Sequence, residues 1–170
     1  MRIMPSWGNF KSKYPSEELQ RAKFEDLARC LFCERFNICY GIFQCINHAG
    51  NETDVITLDG ETIGFQAKFF SHEINAEEII RSIETARIRH PEQTKVIIYT
   101  NQTFGNPQKG KEKTSKQEKI EGKAKDLDLQ IEWSSDKMIL DQVAHVNWIY
   151  DLFFGTEPNL FSLIEEENSN

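Results

Sequence analysis

Apolar residues first fall into register in "SEELQRAKFEDLARCLFCERF", where Phe24, Leu27, Ala28, Leu31 and Phe32 follow the i, i+3, i+4, i+7, i+8 spacing of one helix face. Ser16, after Pro15, is placed to cap that helix, and Glu17 and Glu18 put negative charge in its first turn, where the peptide dipoles favour it. A helix from about 17 to 36 is expected. Three β-rich runs follow, "ICYGIFQCI", "TDVITL" and "TIGFQAKFF", separated by "NHAGNE" and by the turn pair Asp59-Gly60, which predicts a three-strand meander. In "NAEEIIRSIETARIRH", Asn75 is a cap with Glu78 three residues on, Ile79, Ile80, Ile83 and Ala86 share a side, and Pro91 ends the helix. "KVIIYT" is nearly continuous apolar, the mark of a strand buried on both faces, and a helix before it suits a crossover to a parallel strand.

Beyond Asn101 a lysine-rich loop leads to a helix over about 116 to 127, a strand at "LQIEW" and a last helix over about 136 to 154. The order predicts an α/β fold: a three-layer sandwich with a central mixed β-sheet flanked by helices. Residues 1–14 read as an N-terminal extension, 15–155 as the domain, and 156–170 as a tail or the start of a linker to a further domain.

Composition narrows the function classes. At 170 residues, 39% apolar and 28% charged, the chain is of ordinary globular type and of one-domain size. Its longest apolar runs, "VIIY" and "IYDLFF", are too short to cross a bilayer, and "MRIMPSWGNFKSKYP" lacks the apolar core of a signal peptide. A cytoplasmic location with no membrane partner is expected. Cys30, Cys33, Cys39 and Cys45 crowd together, but the first two fall in the apolar part of a helix and the others in a strand, which favours buried thiols over zinc. A net charge of −7 argues against coating nucleic acid by bulk attraction. It leaves room for a local basic groove, and residues 109–125 hold seven lysines against three glutamates. A solvated helix face and a phosphate-contacting surface that includes Lys109, Lys111 and Lys113 are both open readings of that segment.

The chemistry gathers on "IGFQAKFF". Alternate strand residues share a face, so Ile63, Phe65, Ala67 and Phe69 form one set while Gly64, Gln66, Lys68 and Phe70 form the other. An amide and an ammonium presented side by side call for polar partners, or for an exposed face. Asp54, at the start of the preceding strand, opposes Gln66 only if the hairpin loop has an odd number of residues, such as Asp59 to Glu61, or a β-bulge intervenes. A two-residue Asp59-Gly60 turn pairs position 54 with Phe65 instead. In the odd register a carboxylate, an amide oxygen and an ammonium converge into a site for a hard cation beside a phosphate. Glu25 lies at the edge of the first helix's apolar stripe, within reach of the same site, although periodicity alone reads it as a solvated helix glutamate.

Glu25, "NETDVI" with Asp54, and "IGFQAK" with Gln66 and Lys68 resemble the D-(x)n-(E/Q)xK signature of the PD-(D/E)xK nuclease superfamily, and in particular its Mrr-like branch, where glutamine replaces the second acid. The resemblance covers about residues 15 to 155. It implies a restriction-endonuclease-like fold and a Mg²⁺- or Mn²⁺-dependent endonuclease acting on DNA, with double-stranded DNA as substrate. It further implies Asp54 and Gln66 as metal ligands, the main-chain carbonyl of Ala67 as a third, Lys68 as the catalytic lysine and Glu25 as an auxiliary acid. Tyr99 and Asn101, at the end of the fourth strand, are expected near the site, with Asn101 able to touch DNA. Such domains stand at the N-terminus of larger bacterial antiviral proteins, which implies a homo-oligomer and a covalently linked sensor or regulatory domain. The other reading is a nuclease fold that has lost catalysis and serves in nucleic-acid binding or assembly.

Overall fold

The computed structural model describes residues 3–38 and 55–155. Six helices and four strands are formed among them: α1 (Trp7–Lys13), α2 (Glu17–Arg35), β1 (Ile56–Leu58), β2 (Glu61–Lys68), α3 (Ala76–Arg89), β3 (Lys95–Thr100), α4 (Ser115–Asp126), β4 (Gln130–Ser135), α5 (Lys137–His145) and α6 (Asn147–Phe153). The sheet order is β1-β2-β3-β4, with β1 antiparallel to β2 and the other pairs parallel. It is a mixed open sheet with helices on both faces, as the order of elements predicts. The expected strand "ICYGIFQCI", with Cys39 and Cys45, and Asp54 lie outside the described residues.

Alternation along β2 divides the core in two. Ile63, Phe65 and Phe69 pack with Phe24, Leu27, Leu31 and Phe32 of α2 and with the apolar sides of α1, α5 and α6. Ile79, Ile80 and Ile83 of α3, with Ile120 and Ala124 of α4, cover Val96 and Ile98 on the other face. Phe24 meets Phe69 at 5.4 Å between ring centroids and Phe32 meets Phe65 at 4.8 Å, so α2 runs antiparallel to β2. Cys30 and Cys33 are buried in this helix's core face.

The caps form where the sequence places them. Ser16 Oγ accepts from Leu19 N at 3.1 Å, and Asn75 Oδ1 accepts from Glu78 N at 3.2 Å. Two elements differ from expectation. The segment expected to be an extension contains α1, capped by Ser6 and anchored by Phe10, which is fully buried. Seven residues are too few to display a helical period, which is why the pattern misses it. The single helix expected over 136 to 154 is two, broken at Val146 in extended conformation (φ −116°, ψ 96°). Ile139, Val143, Val146, Ile149 and Phe153 keep a helix-like spacing across the break, so periodicity conceals it.

Between α3 and α4 the lysine-rich segment meets acid. Lys116 pairs with Glu73 at 3.1 Å, Lys119 with Glu77, and Lys123 with Glu84 at 2.9 Å. Lys113 pairs with Glu121 of α4 at 2.7 Å, and that contact holds the Lys113 ammonium above its usual range. Exposed pairs of this kind stabilise little, but they neutralise most of the segment's charge. Lys109 and Lys111 stand exposed, without an ion pair among the described residues.

Candidate active site

The hairpin that must assemble the site closes with the shorter of the two loops. Ile56 opposes Ile63, Thr57 opposes Thr62 and Leu58 opposes Glu61, leaving Asp59 (φ 51°) and Gly60 (φ 81°) as a two-residue turn with both residues at positive φ. That is the type I′ geometry, which matches strand twist and favours Asp-Gly. The odd loop from Asp59 to Glu61 expected from the chemistry is therefore not formed. The two-residue register keeps Ile56 and Ile63 together on the α2 side, whereas a one-residue slip would send one of them to the other face.

Val55 follows the same register. A Cβ built on Gly64 would lie 3.3 Å from Val55 Cγ1 and 2.7 Å from Gln93 Nε2, so Val55 stands over the glycine on the Gln66 face. Side chains alternate, so a straight continuation sends position 54 to the side of Phe65. Bringing Asp54 to Gln66 requires a bulge just before Val55, outside the described residues.

Gln66 and Lys68 do share a face, and both are buried. Gln66 is only 4% exposed and sits in one row with Ile98 and Trp133, above the apolar cluster under α3 and α4. Its Oε1 is buried and meets no hydrogen-bond donor among the described residues. An amide oxygen stripped of water with no donor costs about 1–3 kcal/mol. A hard cation seeks such an oxygen, so the orphaned Gln66 Oε1 fits a metal ligand. Elsewhere the fit is incomplete: no three His, Cys, Asp or Glu side chains gather among the described residues. Lys68 lies two residues on, its ammonium 3.8 Å from Glu78 Oε1 in the first turn of α3.

An open cleft of about 790 Å³ lies past the C-terminal end of β2, lined by Glu17, Arg21, Phe70, His72, Glu78 and Lys116 among others; Glu78 belongs to its lining, and Gln66 and Lys68 do not. Ligands of open α/β sheets bind at that end of the parallel strands.

The remaining expected residues are placed as follows. Ala67 is on the α2 side, opposite Gln66 and Lys68. Glu25 belongs to α2 on that same side, and its carboxylate accepts from Arg29 at 3.1 Å, while Asp26 holds the other arm of that guanidinium at 3.0 Å. Tyr99 is buried on the α2 side as well, and burial pushes its hydroxyl well above the ordinary value. Asn101 is 4% exposed, and its amide accepts from Phe70 N at 2.8 Å and donates to Phe70 O at 2.9 Å. Both ends of Asn101 are thus engaged in tying the exit of β2 to the exit of β3. Sequence reasoning did not single out Glu78 as part of the site, since it reads as the third residue of a capping box.

Replacing Gln66 by methionine keeps the volume and removes the orphaned oxygen. The variant is expected to be more stable to urea by roughly 1 kcal/mol. A loss of stability of similar size would show that Oε1 has a donor.

No family model matches the chain, and comparison with curated proteins finds no match.

Proposed function

We propose that the chain is a metal-dependent endodeoxyribonuclease domain that hydrolyses phosphodiesters of double-stranded DNA. The observation that carries this reading is Gln66 Oε1, buried without a donor among the described residues, two residues from Lys68 on one face of an interior strand. A structural glutamine in that position would be a net cost; a cation ligand would not. The resemblance of "IGFQAK" and Asp54 to the Mrr-like PD-(D/E)xK signature supports the same chemistry and a restriction-endonuclease-like fold.

In this reading Gln66, Asp54 and the main-chain carbonyl of Ala67 would hold Mg²⁺ or Mn²⁺, and the bound cation would supply charge neutralisation at the phosphate and lower the pKa of water. Lys68 donates to a non-bridging phosphate oxygen and stabilises the negative charge that grows as water attacks phosphorus. Glu25, held by Arg29, shapes the potential from the neighbouring helix. Lys109 and Lys111 are the cations of the basic segment best placed to meet the DNA backbone, since Lys113 is engaged by Glu121. By the same resemblance the domain is cytoplasmic, acts as a homo-oligomer and is the effector of a bacterial antiviral protein with a linked sensor or regulatory domain.

The test is incubation of supercoiled plasmid with the purified protein and Mg²⁺ or Mn²⁺. Nicking or linearisation is expected, with complete loss on chelation by EDTA and recovery on adding back the metal. Absence of cleavage with either metal, for this chain and for the longest chain containing it, would refute the reading in favour of a binding or assembly module without catalysis.

A further inference from the structure

The lysines of the chain divide by their company. Lys113, Lys116, Lys119 and Lys123 each meet a glutamate, and those pairs cancel much of the charge in the segment that holds them. Lys11, Lys13 and Lys23 make no ion pair among the described residues and lie over aromatic rings instead. In a chain of net charge −7 acids are plentiful, so three ammonium groups left without one are a feature of this surface and not of the composition.

The three share one surface. Lys13 and Lys23 stand over the same Tyr14 ring, 5.8 and 5.9 Å from its centroid, although one ends α1 and the other lies in the second turn of α2. Lys11, three residues before Tyr14, stands 6.0 Å over Phe69, and Phe10 joins the two rings at 4.9 Å from Tyr14 and 5.6 Å from Phe69. Long cationic side chains cover apolar rings with their stems while keeping their charge in water, which accounts for the stems. It does not account for two like charges drawn to one ring. Partial burial, and then the Lys23 charge, hold the Lys13 ammonium below its usual range.

Nearby acids are engaged elsewhere. Glu25 and Asp26, within one turn of Lys23, take the two arms of Arg29, and Glu17 accepts from the Ser71 hydroxyl. Lys13 is also fixed in position, since its Nζ donates to Leu152 O at 3.1 Å and to Gly155 O at 3.2 Å at the end of α6. Neutral carbonyls hold the ammonium without cancelling its charge, and they leave one of its three N–H groups for an outside acceptor. Phe69 directly follows Lys68, so this rim of charge flanks the exit of β2 on the α1 side. Preplaced and uncancelled ammonium groups beside a strand exit complement a polyanion that passes that end of the sheet.

We infer that Lys11, Lys13 and Lys23 form a contact surface for the phosphate backbone of double-stranded DNA, built by α1 and the start of α2 beside the strand that carries Lys68. The assignment rests on the nuclease reading for its partner and adds to it a basic surface distinct from the loop of Lys109 and Lys111. Ammonium–phosphate contacts of this kind set where the duplex lies and carry no sequence preference.

Binding of a short fluorescein-labelled DNA duplex, followed by anisotropy in EDTA so that no cleavage occurs, reads this surface through its salt dependence. Each phosphate contact contributes about 0.9 to the slope of log affinity against log salt. Lys11→Gln/Lys23→Gln is expected to lower that slope by about 2 and to weaken binding at least about tenfold at about 0.1 M salt. Lys125→Gln, which removes an exposed lysine near the end of α4, is the control and should change the slope by less than about 0.3. Adding Lys13→Gln to the double variant should remove about one further unit of slope. Because Lys13 also ties α1 to the end of α6, the double variant decides should the triple one fail to fold by circular dichroism. Wild-type slope and affinity in the folded double variant overturn the assignment. So does tighter binding, through the same lysines, to phosphatidylserine vesicles or to duplex RNA than to duplex DNA. If the wild-type protein cuts DNA while the double variant keeps its slope, this surface falls alone; if it binds DNA through these lysines but cuts with neither Mg²⁺ nor Mn²⁺, the nuclease reading falls and the surface stands. If it neither binds nor cuts DNA, both fall.

Discussion

Lys68→Ala is expected to slow DNA cleavage by roughly 100- to 1000-fold, the usual effect of removing one preorganised donor to the charge that develops in the transition state. The loss should appear in the single-turnover rate at saturating protein, with DNA binding changed by less than about tenfold, because an interaction made mainly in the transition state leaves ground-state affinity nearly intact. Lys68 suits this role because its ammonium is held on a nearly enclosed face, where fixed charge is worth more than in water. The rigidity of an interior strand fixes the backbone that carries that charge. Lys68→Arg tests position against charge: the guanidinium keeps the charge but cannot occupy the same enclosed space, so it should recover little. Asp54→Ala, measured alongside, should be as damaging. Cleavage at wild-type rate by both alanine variants would remove this site from consideration.

Much of this arrangement is legible in the sequence, and the parts that are not share a cause. Period and caps identify α2 and α3 because each is long enough to repeat its apolar stripe and begins with Ser16 or Asn75. The pairing of Gln66 with Lys68 on one face follows from alternation alone. The hairpin register does not follow from chemistry, since the loop is chosen locally: Asp59-Gly60 closes a type I′ turn whatever a distant carboxylate requires. Glu78 escapes the sequence because its relation to Lys68 is made by the chain reversing through Ser71 to Asn75, and no pattern records the angle at which a helix leaves a strand. Asn101 illustrates the converse. Its place at the end of β3 matches a site neighbour, yet its amide is engaged by the Phe70 backbone, a contact spanning 31 positions of sequence.

Phe10→Ala is expected to cost about 3–5 kcal/mol in urea denaturation, the range for truncating a fully buried phenylalanine. That is a large share of the stability of a domain this size. Phe10 contacts Trp7, Tyr14, Phe69 and Phe154 with centroids 4.9–5.7 Å apart, so the cavity would open among rings drawn from three parts of the chain. Rigid aromatic walls collapse poorly into such a space, which places the cost toward the upper end. The position has a functional consequence, because Phe69 directly follows Lys68 and packs against Phe10, Trp7 and Phe24. The wedge of α1 thus holds the exit of β2 from the side opposite the cleft. Trp7→Phe separates packing from polarity: it keeps most of the ring contact but loses the indole bond to Asp136 at 2.9 Å, and should cost only about 1 kcal/mol. A Phe10→Ala penalty below that of Trp7→Phe would mean that the first fourteen residues are the dispensable extension their short pattern suggests, and that α2 and β2 hold the lysine in place without them.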